Sequence, residues 1–247
     1  MTAEFVAVLL AGAFAGGFIN GLAGFGTALL SLGLWLQIMP PPQAVAVVVV
    51  MSVVSGLQGL WTVRREIRDR PGRLALFLLP GLVGLPLGVT LLNVISATAL
   101  KLTIAGFMVA YGGFFTLRRS LPHFDRPTPA IDGGIGFLGG ILGGAASLSG
   151  ALPTMWCAMR PWPKGETRAV LQPYNVGILG GAIVLFALQG LYDRETLLLV
   201  ALALPGTVIG AQLGIALFHR LSDSQFRRLL ILVMFASGMA LALREMF

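Results

Sequence analysis

The stretch "NGLAGFGTALLSLG", Asn20–Gly33, lies early in a very apolar chain and interrupts what would otherwise read as a membrane helix. Gly21, Gly24 and Gly26 fall in its middle, flanked by Asn20, Thr27 and Ser31. Glycine costs a helix interior about 1 kcal/mol relative to alanine. Irregular backbone at membrane depth is tolerated only where protein buries it or where it lines a watery cavity. A second stretch, "AASLSGALP" (Ala145–Pro153), combines small and hydroxyl-bearing residues in the same way. Each break leads into a short apolar segment, 26–38 and 150–160, well below the ~20 residues that cross a bilayer.

The remaining composition agrees with a membrane setting. The 247 residues are 56% apolar and 11% charged, against roughly 25% charged in a soluble domain. Apolar segments fall at about 4–22, 26–38, 43–63, 74–93, 97–117, 131–147, 150–160, 168–190, 195–218 and 225–243. The expected fold class is an all-α polytopic membrane protein. The N-terminal "MTAEFVAVLLAGAF" carries Glu4 and no basic region, so it reads as a first helix and not as a cleaved signal. Cys157 is the only cysteine, which rules out an intrachain disulfide. His123 and His219 lie in or beside polar loops, and no metal or cofactor is expected. The net charge of +7 does not call for nucleic acid, because basic residues of membrane proteins collect in cytoplasmic loops.

The two halves echo one another. "LPGLVGLPLG" (79–88) resembles "LPGTVIGAQLG" (204–214), and "PPPQAVAV" (40–47) and "PKGETRAV" (163–170) each follow a short segment and precede a long one. Matched breaks in two similar halves are the mark of a transporter built from repeats. The division expected is a first repeat at 1–117, a cytoplasmic linker at 118–130 and a second repeat at 131–247. With the N-terminus outside and every segment changing sides, 14 of the 17 basic residues fall inside. Lys101, Arg194 and Arg244 are the exceptions. That asymmetry is the positive-inside pattern. Five segments per half invert the second repeat relative to the first, so the broken or re-entrant short helices enter from opposite sides and meet near the midplane.

Inversion gives the breaks a chemical role. The first N–H groups of a helix lack intrahelical partners and carry partial positive charge. Two such ends aimed at one point, at about Gly26 and Gly150, make an anion site. The expected donors and close-approach positions are Asn20, Gly24, Gly26, Thr27, Ser31, Ser147, Ser149 and Gly150. Gln172 and Asn175 beside Pro173 join them, with Ser52, Ser55 and Gln58 as first-half counterparts. The competing account is structural. Gln172 and Asn175 would then satisfy carbonyls freed by Pro173, which lacks an N–H. Glycine pairs four apart, such as Gly12/Gly16, Gly84/Gly88, Gly139/Gly143, Gly177/Gly181 and Gly210/Gly214, read as helix packing. Arg168 is either an anion attractor one turn inside the membrane or an interfacial anchor beside Glu166. The ten acidic residues all fall at segment ends or in loops, so cation transport and hydrolysis lack their carboxylates. The chain is not expected to be an enzyme.

The motifs "GLAGFGTALLSL" (21–32) with "PPPQAVAV", and "SLSGALPTMW" (147–156) with "KGETRAV" (164–170), resemble the sulfite exporter TauE/SafE family. The resemblance spans essentially the whole chain. It implies a bacterial inner-membrane protein that moves sulfite, organosulfonates or related sulfur anions, usually outward; the basic-residue count places both termini on the outer, periplasmic side. By motif position it points to Gly24, Gly26 and Thr27, and to Ser149, Gly150 and Ala151. The chain departs from the family's glycine runs at Thr27-Ala28 and Gly150-Ala151-Leu152. The expected partners are a small anion and the lipid bilayer, with a second copy of the chain as candidate protein partner and no nucleic acid. An anion channel using the same helix ends, and a non-transporting membrane scaffold, are the alternatives.

Overall fold

The computed structural model describes residues 2–92, 102, 106, 109, 113, 124 and 126–246. Most of the expected segment 97–117 and most of the linker lie outside these residues. Every regular element among the described residues is helical: α1 (Ala3–Ala23), α2 (Thr27–Trp35), α3 (Pro41–Thr62), α4 (Arg64–Asp69), α5 (Pro71–Leu92), α6 (Pro129–Ala146), α7 (Ala151–Ala158), α8 (Lys164–Leu188), α9 (Arg194–Arg220) and α10 (Asp223–Met246). Five of them, α1, α3, α5, α8 and α9, are long and apolar enough to cross a membrane. The short α4 falls where a loop was expected. Otherwise the boundaries follow local signals. Pro41, Pro42 and Pro129 sit in first turns, where a missing N–H costs nothing. Asp193 caps α9 by accepting the Thr196 N–H at 2.8 Å. That bond holds its carboxyl below the usual range.

The helices pack as two tight parallel pairs around a third contact. α1 lies along α9, and α5 along α6, while α3 packs on α8. A Cβ at Gly17 or Gly21 would overlap the carbonyl oxygens of Thr207 and Ala211, and one at Gly210 or Gly214 those of Phe14 and Phe18. Contacts that rise together in number make the pair parallel. The same register joins α5 and α6, where Gly84 and Gly88 abut Phe137 and Ile141, and Gly136 and Gly140 abut Phe77 and Gly81. These glycines let backbones touch, as small residues do where membrane helices approach closely. α5 turns its other side outward, with Leu79, Leu82, Val83 and Leu87 exposed. An apolar stripe of that kind suits lipid contact.

This packing gives a direct test. Gly140→Ala must separate two backbones, and overpacking costs about 1–3 kcal/mol. A clear fall in apparent Tm in detergent is expected. Gly180 has nothing within 4 Å of a Cβ, so Gly180→Ala should hold or raise Tm, alanine being favoured in helices by about 1 kcal/mol. Equal behaviour of the two variants would contradict the α5–α6 register.

Candidate functional site

The two breaks meet. α1 ends in the left-handed Gly24 (φ 86°), Gly26 is also left-handed (φ 98°), and α6 ends in Ser147 at φ 57°. Glycine adopts that region freely, whereas the non-glycine Ser147 does so at some cost. A Cβ at Gly150 would lie 2.5 Å from Phe25 Cβ, so the second break presses on the first. Phe25 is 2% exposed and packs in the same apolar cluster as Leu148, Ala151 and Met155. Gly150 itself has an ordinary φ of −79°. Its lack of a side chain therefore answers to close approach alone.

Polar side chains gather on both sides of this contact. Asn20 Nδ2 donates to Thr27 Oγ1 at 2.8 Å and to Ser52 O at 3.2 Å. Gln172 Nε2 donates to Asn20 Oδ1 at 3.3 Å, and Gln172 Oε1 accepts Arg168 Nε at 3.1 Å. Arg168 Nη2 donates to Gly21 O at 2.6 Å. On the other side Ser149 Oγ donates to Asn175 Oδ1. Gln172 and Asn175 are one turn apart on α8, so one helix face bears both networks. All these side chains are buried. Gln172 bonds Asn20 on α1 as well as Arg168 on its own helix, Asn175 bonds Ser149 of the second break, and the helix runs unbroken through Pro173. Gln172 and Asn175 are thus tied to the breaks, and those bonds do not serve the carbonyls freed by the proline.

The other expected positions divide. Ser31 donates to Gly12 O at 2.8 Å and holds α2 on α1. Ser55 bonds carbonyls of its own helix. Gln58 is half-exposed, donates to Val54 O at 3.5 Å, and lies off the α8-facing side. Ser147 Oγ is buried without a partner among the described residues. The helix ends are unequal. No side chain caps α2 or α7, but the Ala151 N–H is already bonded to Leu148 O at 3.2 Å and Pro153 has none to give. α7 therefore offers fewer free donors than α2.

Arg168 is the main departure from expectation. It is fully buried and does not anchor beside Glu166, which is held by Arg70 and Arg73. The reason is register. α8 begins at Lys164, capped by Pro163, so Arg168 sits in its second turn and points at the end of α1. Arg160 is almost as buried, yet Asp132 lies 2.9 Å away. Arg168 has no carboxylate among the described residues. Its Nη1 has no hydrogen-bond partner, and its Cζ lies 4.3 Å from the centre of the Phe218 ring. A buried cation without a counter-charge costs several kcal/mol. The arrangement suits a small anion that supplies both charge and acceptors.

Five helices of membrane-crossing length, with two breaks touching beside a buried polar seam, make this a multi-pass membrane protein. The chain matches the family described as Sulfite exporter TauE/SafE over residues 8–241, and it belongs to that family. Its members are transporters and not enzymes, and membership sets this chain among proteins that move sulfur anions across membranes. No curated protein and no solved structure matches the chain.

Proposed function

We propose that this protein is a carrier that exports a small sulfur-containing anion, sulfite or an organosulfonate, across the bacterial inner membrane. The anion binds between the breaks, against Arg168 and the first turn of α2, with Thr27, Ser149, Gln172 and Asn175 as hydrogen-bonding partners. The observation that carries this reading is Arg168, a buried guanidinium with an unmet Nη1 and no carboxylate partner among the described residues. A sulfonate or sulfite oxygen meets that donor as a charge-assisted bond, which contributes roughly 1.5–3 kcal/mol.

The carrier reading rests on two inverted repeats. Exchanging the halves turns the α1–α9 pair into the α6–α5 pair, α3–α9 into α8–α5, and α1–α2 into α6–α7, while α3–α8 maps onto itself. Gly17 and Gly140, Gly21 and Gly144, and the caps Gly24 and Ser147, are each 123 residues apart. Gly56 packs on Val176 and Gly59 on Gln172, so α3 and α8 run antiparallel. Repeats so related rock about a fixed midplane site in many transporters. The basic asymmetry supports both termini outside. Cysteines placed at the exposed Asp69 and Glu195 in a Cys157→Ser background test the topology. In intact cells an impermeant thiol reagent should reach position 195 and not 69, and the reverse pattern would overturn the orientation.

Substrate is tested by a thermal-shift series on the purified protein with sulfite, sulfoacetate, isethionate, taurine, sulfate and thiosulfate. A ligand at 100 times its Kd stabilises by about 2.7 kcal/mol, so a true substrate should raise Tm by several degrees. No shift with any sulfur anion would contradict the proposal.

A further inference from the structure

We infer, resting on the reading of Arg168 as the anion's partner, that Phe218 controls access to that arginine from the Lys164 end. Lys164, Arg168 and Gln172 recur every fourth residue on α8 and so share one face. Lys164 is half-buried and Arg168 fully buried. Phe218, three residues before Leu221 at α9's C-cap, covers both. Its ring centre is 4.3 Å from Arg168 Cζ and 5.0 Å from Lys164 Nζ. Phe226 meets the ring edge-on at 5.2 Å. Lys164 Nζ donates to Phe218 O at 3.1 Å and to Leu221 O, which ties the end of α9 to the start of α8.

The chemistry explains why a ring belongs there only while the anion is absent. An aromatic face offers a buried cation a negative surface, but it has no lone pair for Nη1. A sulfur oxyanion offers charge and lone pairs together, so it replaces the ring wherever it can reach. Lys164 lies one turn away, about 6 Å along the axis. An anion drawn first to that half-exposed ammonium enters the Arg168 site when Phe218 swings aside. Lys164 is then the outer station and Phe218 the gate. Phe218 is a positioning residue in the resting protein and not part of the anion's binding shell.

A cysteine reporter tests this without knowing the substrate. Gln172→Cys, in a Cys157→Ser background, is labelled by a sulfonate-bearing thiosulfonate reagent in detergent. Phe218→Ala should raise the labelling rate several-fold, Phe218→Leu less, and Phe218→Trp should lower it. A control cysteine at the fully buried Ala203 should stay unlabelled in all of them. An unchanged rate at position 172, including no reaction in either protein, would overturn the gate, and so would labelling that rises equally at position 203. The site is tested separately by Arg168→Met, described below. Loss of anion binding there with no effect of Phe218→Ala on labelling would sink the gate and leave the site standing.

Discussion

Replacing Arg168 by methionine is expected to abolish anion binding while leaving the protein nearly as stable as before. Truncating one member of a buried charge pair costs binding about 2–5 kcal/mol. By the usual conversion that is roughly 30-fold to several-thousand-fold in Kd. The thermal shift produced by the anion should therefore disappear. Stability behaves differently, because two terms offset. Removing an uncompensated buried cation relieves a penalty of several kcal/mol. Against this, Gly21 O and Gln172 Oε1 lose their donor, at about 1–3 kcal/mol each. The ligand-free Tm should move little. A purely structural Arg168 would give the opposite pair of results, a large fall in Tm and an unaltered anion shift. Arg160→Met serves as the contrast, since it leaves the buried Asp132 with hydrogen bonds from Trp156 and Thr128 but no counter-charge, and should destabilise strongly, by about 3–5 kcal/mol.

Gly150→Ala is the second change with a large expected effect. The added methyl would sit 2.5 Å from Phe25 Cβ. Phe25 Cβ is fixed to its backbone, so no rotamer change relieves the clash, and one break must retreat from the other. Overpacking of this kind costs about 1–3 kcal/mol, occasionally more. Transport should fall far more than stability does, because Ser149–Asn175 and the Asn20 network lie on either side of the contact. A double-mutant cycle with Phe25→Gly assigns the effect. Phe25→Gly alone is costly, since emptying a buried phenylalanine site loses about 3–5 kcal/mol. In that background Gly150→Ala should cost almost nothing, and a favourable coupling of 1 kcal/mol or more is expected for touching residues. Simple additivity would mean that the two breaks do not meet.

The breaks and the long helices were legible because their signals are local. Runs of apolar residues mark α1, α3, α5, α8 and α9, and glycines beside hydroxyls mark the ends at Gly24 and Ser147. Basic-residue counting led to the expectation that the breaks meet, and Gly150 does press on Phe25. Arg168 was only half legible. Its burial depends on α8 starting at Lys164 and on the carbonyl of Gly21, 147 residues earlier in the chain. Phe218 carried no sequence signal, since one phenylalanine among 15 is unremarked until α9 sets it over two cations. Gln58 misled for a rotational reason. Ser52, Ser55 and Gly59 follow helical spacing onto the face buried toward α8, whereas position 58 is turned about 100° away from 59. Pro153 weakens the second helix end by removing a donor, so the proposed site leans on the first break and on Arg168.

Reconstituted transport shows whether a sulfur anion crosses the membrane through Arg168. Proteoliposomes are loaded with radiolabelled sulfite or isethionate, with potential and pH gradient set independently. No carboxylate lies deep in the described spans to relay protons, so the potential should drive the flux of a permanently ionised sulfonate. It is worth about 2.3 kcal/mol per charge per 100 mV, which sustains a gradient of about fiftyfold. The parent protein should show saturable, potential-driven flux and counterflow, insensitive to the pH gradient for isethionate, and Arg168→Met should show no flux. Flux of either anion through Arg168→Met at the parent rate, or none through the parent, would contradict this reading.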